Sequence, residues 1–159
     1  MPTNEEIIRS LYAAAEAEGE DVEEFASLFS SRGYFLDEAS GTRWSGQEVR
    51  QPIQLLNAAF PDMHRELMNV YATDDVVVVE LNLQGTHRGG FPVADGLLPA
   101  TGRRFDVPCC DVFHIEGGKV VSFHCYNELY MWLQQLGDLA QCGVPLVSPE
   151  PSASLSTGR

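Results

Sequence analysis

The sequence is short of positive charge. Its 159 residues hold ten Lys and Arg against 23 Asp and Glu, a formal net charge of −13. Nucleic acids and anionic membrane surfaces are gripped by clustered cations, so this balance argues against both as partners. Long apolar runs are missing as well, and none reaches the roughly 20 residues that span a bilayer. The opening MPTNEEIIRS has neither the basic start nor the apolar centre of an export signal. A cytoplasmic protein is therefore expected, with Cys109, Cys110, Cys125 and Cys142 as reduced thiols. There is no C-x-x-C pair, the His residues show no metal spacing, and adjacent Cys109 and Cys110 point to opposite faces of a strand. No metal site is expected on those grounds. Repeats and a second composition are also lacking, which leaves one domain over 1–143. The Ser- and Pro-rich stretch 144–159 reads as a disordered tail.

What is present centres on 103–128, RRFDVPCCDVFHIEGGKVVSFHCYNE, two strands joined by a tight turn at Gly117, Gly118 and Lys119. Side chains two apart share a strand face, which lines up Phe105, Val107, Cys109, Asp111, Phe113 and Ile115. That face is apolar except for Asp111. On the second strand Val121, Phe123 and Cys125 align, followed by Asn127. A carboxyl alone among apolar neighbours must be paired, hydrogen-bonded or neutral. Asp111 is thus a candidate acid or hydrogen-bond donor, the plain alternative being a buried Asp held by backbone or by an Arg.

Upstream, Thr3 and Glu6 fit a capping box opening a helix to about Glu18, with Ile7, Ile8, Leu11 and Tyr12 as its apolar stripe. Asp21 and Glu24 start a second helix that faces Val22, Phe25, Leu28 and Phe29 inward. Residues 33–37 (GYFLD) read as a short extended piece ending at Asp37. Ser45 and Glu48 open a third helix, with Pro52 disturbing its start and Pro61 ending it. Strands follow at 63–72 and 76–87, turning at Thr73, Asp74 and Asp75. His87 falls at the end of the second strand's apolar face. The Gly- and Pro-rich loop 89–102 carries Phe91, Val93, Leu97 and Leu98, as either a flap over a pocket or a cover for the core. A helix over 129–139 closes the domain. Helices first and strands later argue for an α+β fold.

This order resembles the nuclear-transport-factor-2-like cone, in which a curved antiparallel sheet wraps around N-terminal helices with a pocket between them. FPDMHREL, VVVVELNLQGTHRGGF, PATGRRFDVPCCDVFHIEGGKV and the closing QLG are similar to the SnoaL-like polyketide cyclases over roughly 46–137. FLDEASGTRWSG and VPCCDVFHIEGGKVVS also resemble the bacterial ketosteroid isomerases. That second resemblance implies Asp37 as general base and Asp111 as a protonated oxyanion donor. It implies pocket positions at Phe123, Cys125 and Asn127. Alignment puts Ala13 where the isomerases have an oxyanion tyrosine, with Tyr12 one step away, and Cys125 where the cyclases have their aspartate. The resemblance further implies a homodimer.

The expected activity is cofactor-independent proton transfer, as an isomerase or aldol-type cyclase, on a small hydrophobic carbonyl compound of polyketide, terpenoid or steroid-like character. Asp37, Asp111 and His87 are the catalytic candidates. Tyr12, His64, Phe113, Phe123, Cys125 and Asn127 are the ligand-binding ones. Two rival readings stand beside it, a hydrolase or dehydratase using the same pocket and a non-catalytic ligand binder.

Overall fold

A computed structural model describes residues 1–94 and 96–137 of the chain. The central hairpin is β7 (Arg104–Glu116) and β8 (Lys119–Asn127), and Glu116 pairs with Lys119 across the turn. Gly117 and Gly118 turn it with φ of 56° and 75°. A type I′ two-residue hairpin turn needs left-handed backbone at both positions, which glycine adopts without steric cost. On β7 the alternation holds along the whole strand, with Phe105, Val107, Cys109, Asp111, Phe113 and Ile115 all buried. On β8 it slips. The register jumps from His114–Ser122 to Ile115–Val120, leaving Val121 as an extra bulged residue. Val120 therefore enters the core where strict alternation predicts Val121.

Around the hairpin, β1 (Phe29–Asp37), β2 (Thr42–Ser45), β3 (His64–Ala72) and β4 (Val76–Thr86) complete a curved sheet ordered β2-β1-β8-β7-β4-β3. Neighbours are antiparallel except β1 and β8, which run parallel. With α1 (Asn4–Ala15), α2 (Val22–Ser27), α3 (Arg50–Ala59) and α4 (Leu129–Leu136), this is the expected α+β arrangement. Helix α1 starts with the predicted box: Glu6 N–H donates to Thr3 Oγ1 at 3.2 Å, and Thr3 N–H to Glu6 Oε2 at 2.7 Å. Its buried stripe includes Ile8, Leu11, Tyr12 and Ala15.

Several boundaries differ from the sequence reading. Helix α1 stops at Ala15, short of Glu18, and the Glu16 side chain turns to bond the start of β3. Phe29 begins β1 and does not end α2. Strand β1 is longer than 33–37 because its register with β8 shifts between Phe29 and Tyr34. Gly33 lies at that shift, where an added Cβ would come within 2.6 Å of the Val120 carbonyl oxygen. Strand β2 lies in a stretch with no predicted element. A 3-10 turn at Gly46–Val49 precedes α3, so Pro52 sits in the first α-helical turn, where its missing N–H leaves no bond unmade.

The loop after β4 is not structureless. It holds a small hairpin, β5 (Phe91–Val93) with β6 (Gly96–Leu98), which buries Phe91 and Leu98. Helix α4 ends at Leu136, where Gly137 takes a left-handed φ of 90° as its cap. The predicted extension to 139, Cys142 and the tail 144–159 lie outside the described residues. Among the described residues no helix is long and apolar enough to cross a membrane.

Candidate active site

Between the concave sheet face and the helices lies a cavity of about 580 Å³, a size that holds a small ligand. Leu11, Tyr12 and Ala15 of α1 form one side, and Phe35 and Trp44 of β1 and β2 another. Phe91, Pro92 and Val93 of the small hairpin cover it, with Trp132 and Leu133 of α4 adjoining. Of the apolar residues of loop 89–102, Phe91 and Val93 thus wall the cavity, Phe91 and Leu98 are buried in the core, and Leu97 is exposed.

Strand register fixes the polar groups. Asp37 pairs with Cys125 across β1 and β8, and Cys125 pairs with Asp111 across β8 and β7. All three line the cavity. Two strand spacings separate the carboxylate-bearing backbones, roughly 10 Å. One acid therefore lies at each end of a row with a cysteine between them.

The two acids have different surroundings. Asp37 is half-buried at the cavity edge. Its Oδ1 accepts from Asn127 Nδ2 at 2.9 Å and from Ala39 N–H at 3.3 Å, and its Oδ2 accepts from Ser40 Oγ at 2.6 Å. Asp111 is only 3% exposed. Its Oδ2 accepts from the Tyr12 hydroxyl at 2.5 Å, and its Oδ1 from the Cys109 thiol at 3.3 Å. Burial raises its carboxyl from 3.8 to about 6, against the opposing pull of Tyr12, Cys109, Cys125 and Arg65. Burial, and then the Asp111 charge, push the Tyr12 phenol well above its ordinary range.

Tyr12 therefore faces the cavity, while Ala13, the residue that alignment places at the isomerases' tyrosine, is exposed. The stripe Ile8, Leu11, Tyr12 and Ala15 already carried this signal, since positions three and four apart share a helix face.

The structure brings Asp37, Asp111, Tyr12, Phe123, Cys125 and Asn127 to one cavity and keeps three other candidates away. His64 is exposed on β3, bonding Glu16 at 3.0 Å and Glu66 at 2.7 Å. Those bonds, Glu66 first, raise its basicity. It points outward because alternation puts its neighbour Arg65 inward. His87 has no exposed surface, yet it packs in an aromatic cluster with Phe60 and Phe91 and does not line the cavity. Its Nδ1 accepts from Thr101 N–H at 3.2 Å. Burial lowers its basicity, and the ring packs in that cluster away from the cavity. Phe113 is fully buried beneath Phe123, with ring centroids 4.3 Å apart, and forms core behind the wall.

Sequence reasoning missed Arg65, which is 7% exposed and lines the cavity. In FPDMHREL the alternation of Met63, Arg65 and Leu67 was the available signal, and its facing direction needed the pairing of Arg65 with Leu83.

A second miss concerns Cys109 and Cys125, whose sulfurs lie 3.6 Å apart. With Asp111 their ligand atoms fall within 4.8 Å of one another, so among the described residues these three form a set that could hold a metal ion. Spacing along the chain hid them because the pair meets across β7 and β8. The hydrogen bond to Cys125, then burial, push the Cys109 thiol far up. The bond from Cys109 draws the Cys125 thiol down, but burial and the nearby carboxylates outweigh it and the net shift is upward. A metal would have to displace both protons.

Comparison with solved structures gives the same architecture. A proposed SnoaL-like polyketide cyclase from Jannaschia sp. is 20% identical, with a TM-score of 0.73 over 84% of this chain and 90% of that one. IdmH, a proposed polyketide cyclase from Streptomyces antibioticus, is 23% identical, with a TM-score of 0.70 over 84% of this chain and 98% of that one. A protein of ketosteroid isomerase-like fold from Catenulispora acidiphila, solved with trimethylamine, is 23% identical with a TM-score of 0.70 over 86% of this chain and 95% of that one. No protein of curated function matches the sequence. The profile of the SnoaL-like domain matches residues 8–123, most of the chain, and with the cone and its cavity in place the chain belongs to the SnoaL-like family.

Proposed function

We propose that this chain is a cofactor-independent proton-transfer enzyme, an isomerase or aldol-type cyclase, acting on a small hydrophobic carbonyl compound of polyketide, terpenoid or steroid-like character. The observation that carries this reading is the row Asp37, Cys125, Asp111, which puts two acids in different environments at opposite ends of one apolar cavity. Two carboxyls in different surroundings are how one site performs base and acid roles together.

Asp37, held by three neutral donors, takes the proton from the carbon next to the carbonyl. The C–H electron pair becomes the enolate π bond, and the carbonyl oxygen takes the negative charge. Asp111 acts in its neutral form. Tyr12 and a protonated Asp111 together own two O–H hydrogens, of which their mutual bond uses one. The other is donated to the enolate oxygen, and the growing charge there favours that protonated state. Return of the proton to a different carbon gives isomerisation. Attack of the enolate carbon on a second carbonyl gives cyclisation. Phe91, Pro92 and Val93 cover the reacting atoms and limit water.

The protein is further proposed to work as a homodimer through the outer sheet face, where Tyr71 and Tyr126 are 54% and 48% exposed. Light scattering should give twice the chain mass, and a monomer at working concentration would remove this part. The activity itself is tested by incubating the protein in deuterated water with a panel of hydrophobic ketones and following label by NMR. Stereoselective exchange is expected. Saturable binding without exchange would move the reading to a hydrolase, a dehydratase or a non-catalytic binder.

A further inference from the structure

Arg65 is a buried cation with most of its hydrogen-bonding capacity unspent. Among the described residues its guanidinium makes one hydrogen bond, Nη1 to the Ala15 carbonyl oxygen at 2.8 Å, and Nη2 has no partner. It forms no ion pair with a carboxylate among those residues. Glu16, the nearest acid along the chain contacts, spends one oxygen on the Arg65 backbone N–H at 2.8 Å and the other on His64. A purely structural clamp on Ala15 does not account for the charge. Asn57 Nδ2 already donates to the same carbonyl at 3.1 Å. Burying an arginine without a directly bonded counter-ion is costly, and a guanidinium stays charged in a protein.

We infer that Arg65 recognises a carboxylate on the ligand, which makes the substrate class a hydrophobic keto acid. This rests on the cavity being the carbonyl-binding site proposed above. A planar guanidinium with free donors matches the two oxygens of a carboxylate. Charge counting favours a monoanion. The acids that act on the guanidinium are Glu16 and Asp111, the latter neutral in the proposed mechanism, and a doubly charged phosphate would meet stronger repulsion from Glu16. The apolar wall formed by Leu81, Leu83 and Phe123 suits the hydrocarbon body of such an acid.

The test compares naphthoylpropionate, an enolisable keto acid, with its methyl ester, which has the same shape and no charge. Binding is followed by calorimetry on the full chain, so the result does not depend on turnover. Wild type should bind the acid roughly tenfold more tightly or better than the ester, as expected for charge-assisted bonds to a buried cation. Arg65→Gln should bind the two equally, and Arg65→Lys should keep part of the preference. Circular dichroism confirms that each variant is folded, and the wild-type comparison stands even if neither variant is. Equal affinities in wild type, no measurable binding of the acid, or a preference untouched in folded Arg65→Gln would overturn the inference. Preferential acid binding without proton exchange would instead count against the proposed activity and leave Arg65 as an acid-recognition site.

Discussion

Tyr12 on the first helix donates a 2.5 Å hydrogen bond to Asp111, which lies 99 residues later on β7. The bond is buried and ties the helix layer to the one carboxyl on β7's apolar face. Tyr12→Phe keeps the ring and its edge-on packing against Phe113, at 5.9 Å between centroids, but removes the donor. Because that donor lowers the Asp111 pKa, the variant should titrate Asp111 above about 6. Proton exchange should fall about a hundredfold to a thousandfold, the range for losing one oxyanion donor. Carboxyl NMR titration checks the first outcome, and the exchange assay the second.

Asp111→Asn should change how stability depends on pH. The folded carboxyl sits at about 6 against an unfolded value near 3.8. The folded state therefore binds the proton more tightly, and stability is highest below the unfolded value and lost as pH rises through about 6. A displacement of this size is worth about 3 kcal/mol. Asn cannot ionise, so the variant should lose that decline and be at least as stable as wild type at pH 8. Denaturant melts of both proteins across this pH range measure the difference. An unchanged slope would mean that another group carries the dependence.

Asn127→Leu should separate positioning from binding. It deletes the 2.9 Å donor to Asp37 while leaving a side chain of similar bulk on the cavity wall. Exchange should fall by about tenfold, as for the loss of one hydrogen bond to a charged group. Ketone affinity should hold. A parallel loss of affinity would show that Asn127 acts on the ligand instead.

Gly33→Ala tests the sheet geometry that sets the row. An added Cβ would stand 2.6 Å from the Val120 carbonyl oxygen, a rigid backbone atom. The expected cost is about 1–3 kcal/mol, as for other overpacked sites. Thermal melts provide the measurement, and a neutral effect would mean that β1 can shift against β8.

Much of this site was legible from alternation. Period-two reading gave the buried face of β7 and marked Asp111 as anomalous, because burial on a long central strand depends little on distant context. Tyr12 was harder: its stripe was readable, but its partner on β7 was not, since a contact across 99 positions leaves no local trace. Arg65 and the Cys109–Cys125 pair needed strand pairings that turn chemistry alone does not give. His87 shows the opposite error. It does lie on the buried face, but that face runs past the cavity into an aromatic cluster around Phe60. Burial was right there, and the location was not.

The central claim is that Asp37 removes a proton while Tyr12 and Asp111 hold the oxygen. Proton exchange in deuterated water tests it most directly, with wild type, Asp37→Asn and Asp111→Asn assayed on the same bound ketone. The account predicts stereoselective exchange in wild type, abolished in Asp37→Asn and slowed about a hundredfold or more in Asp111→Asn, with ketone binding retained in both. Full exchange in Asp37→Asn would contradict it, and so would wild-type rates in Asp111→Asn.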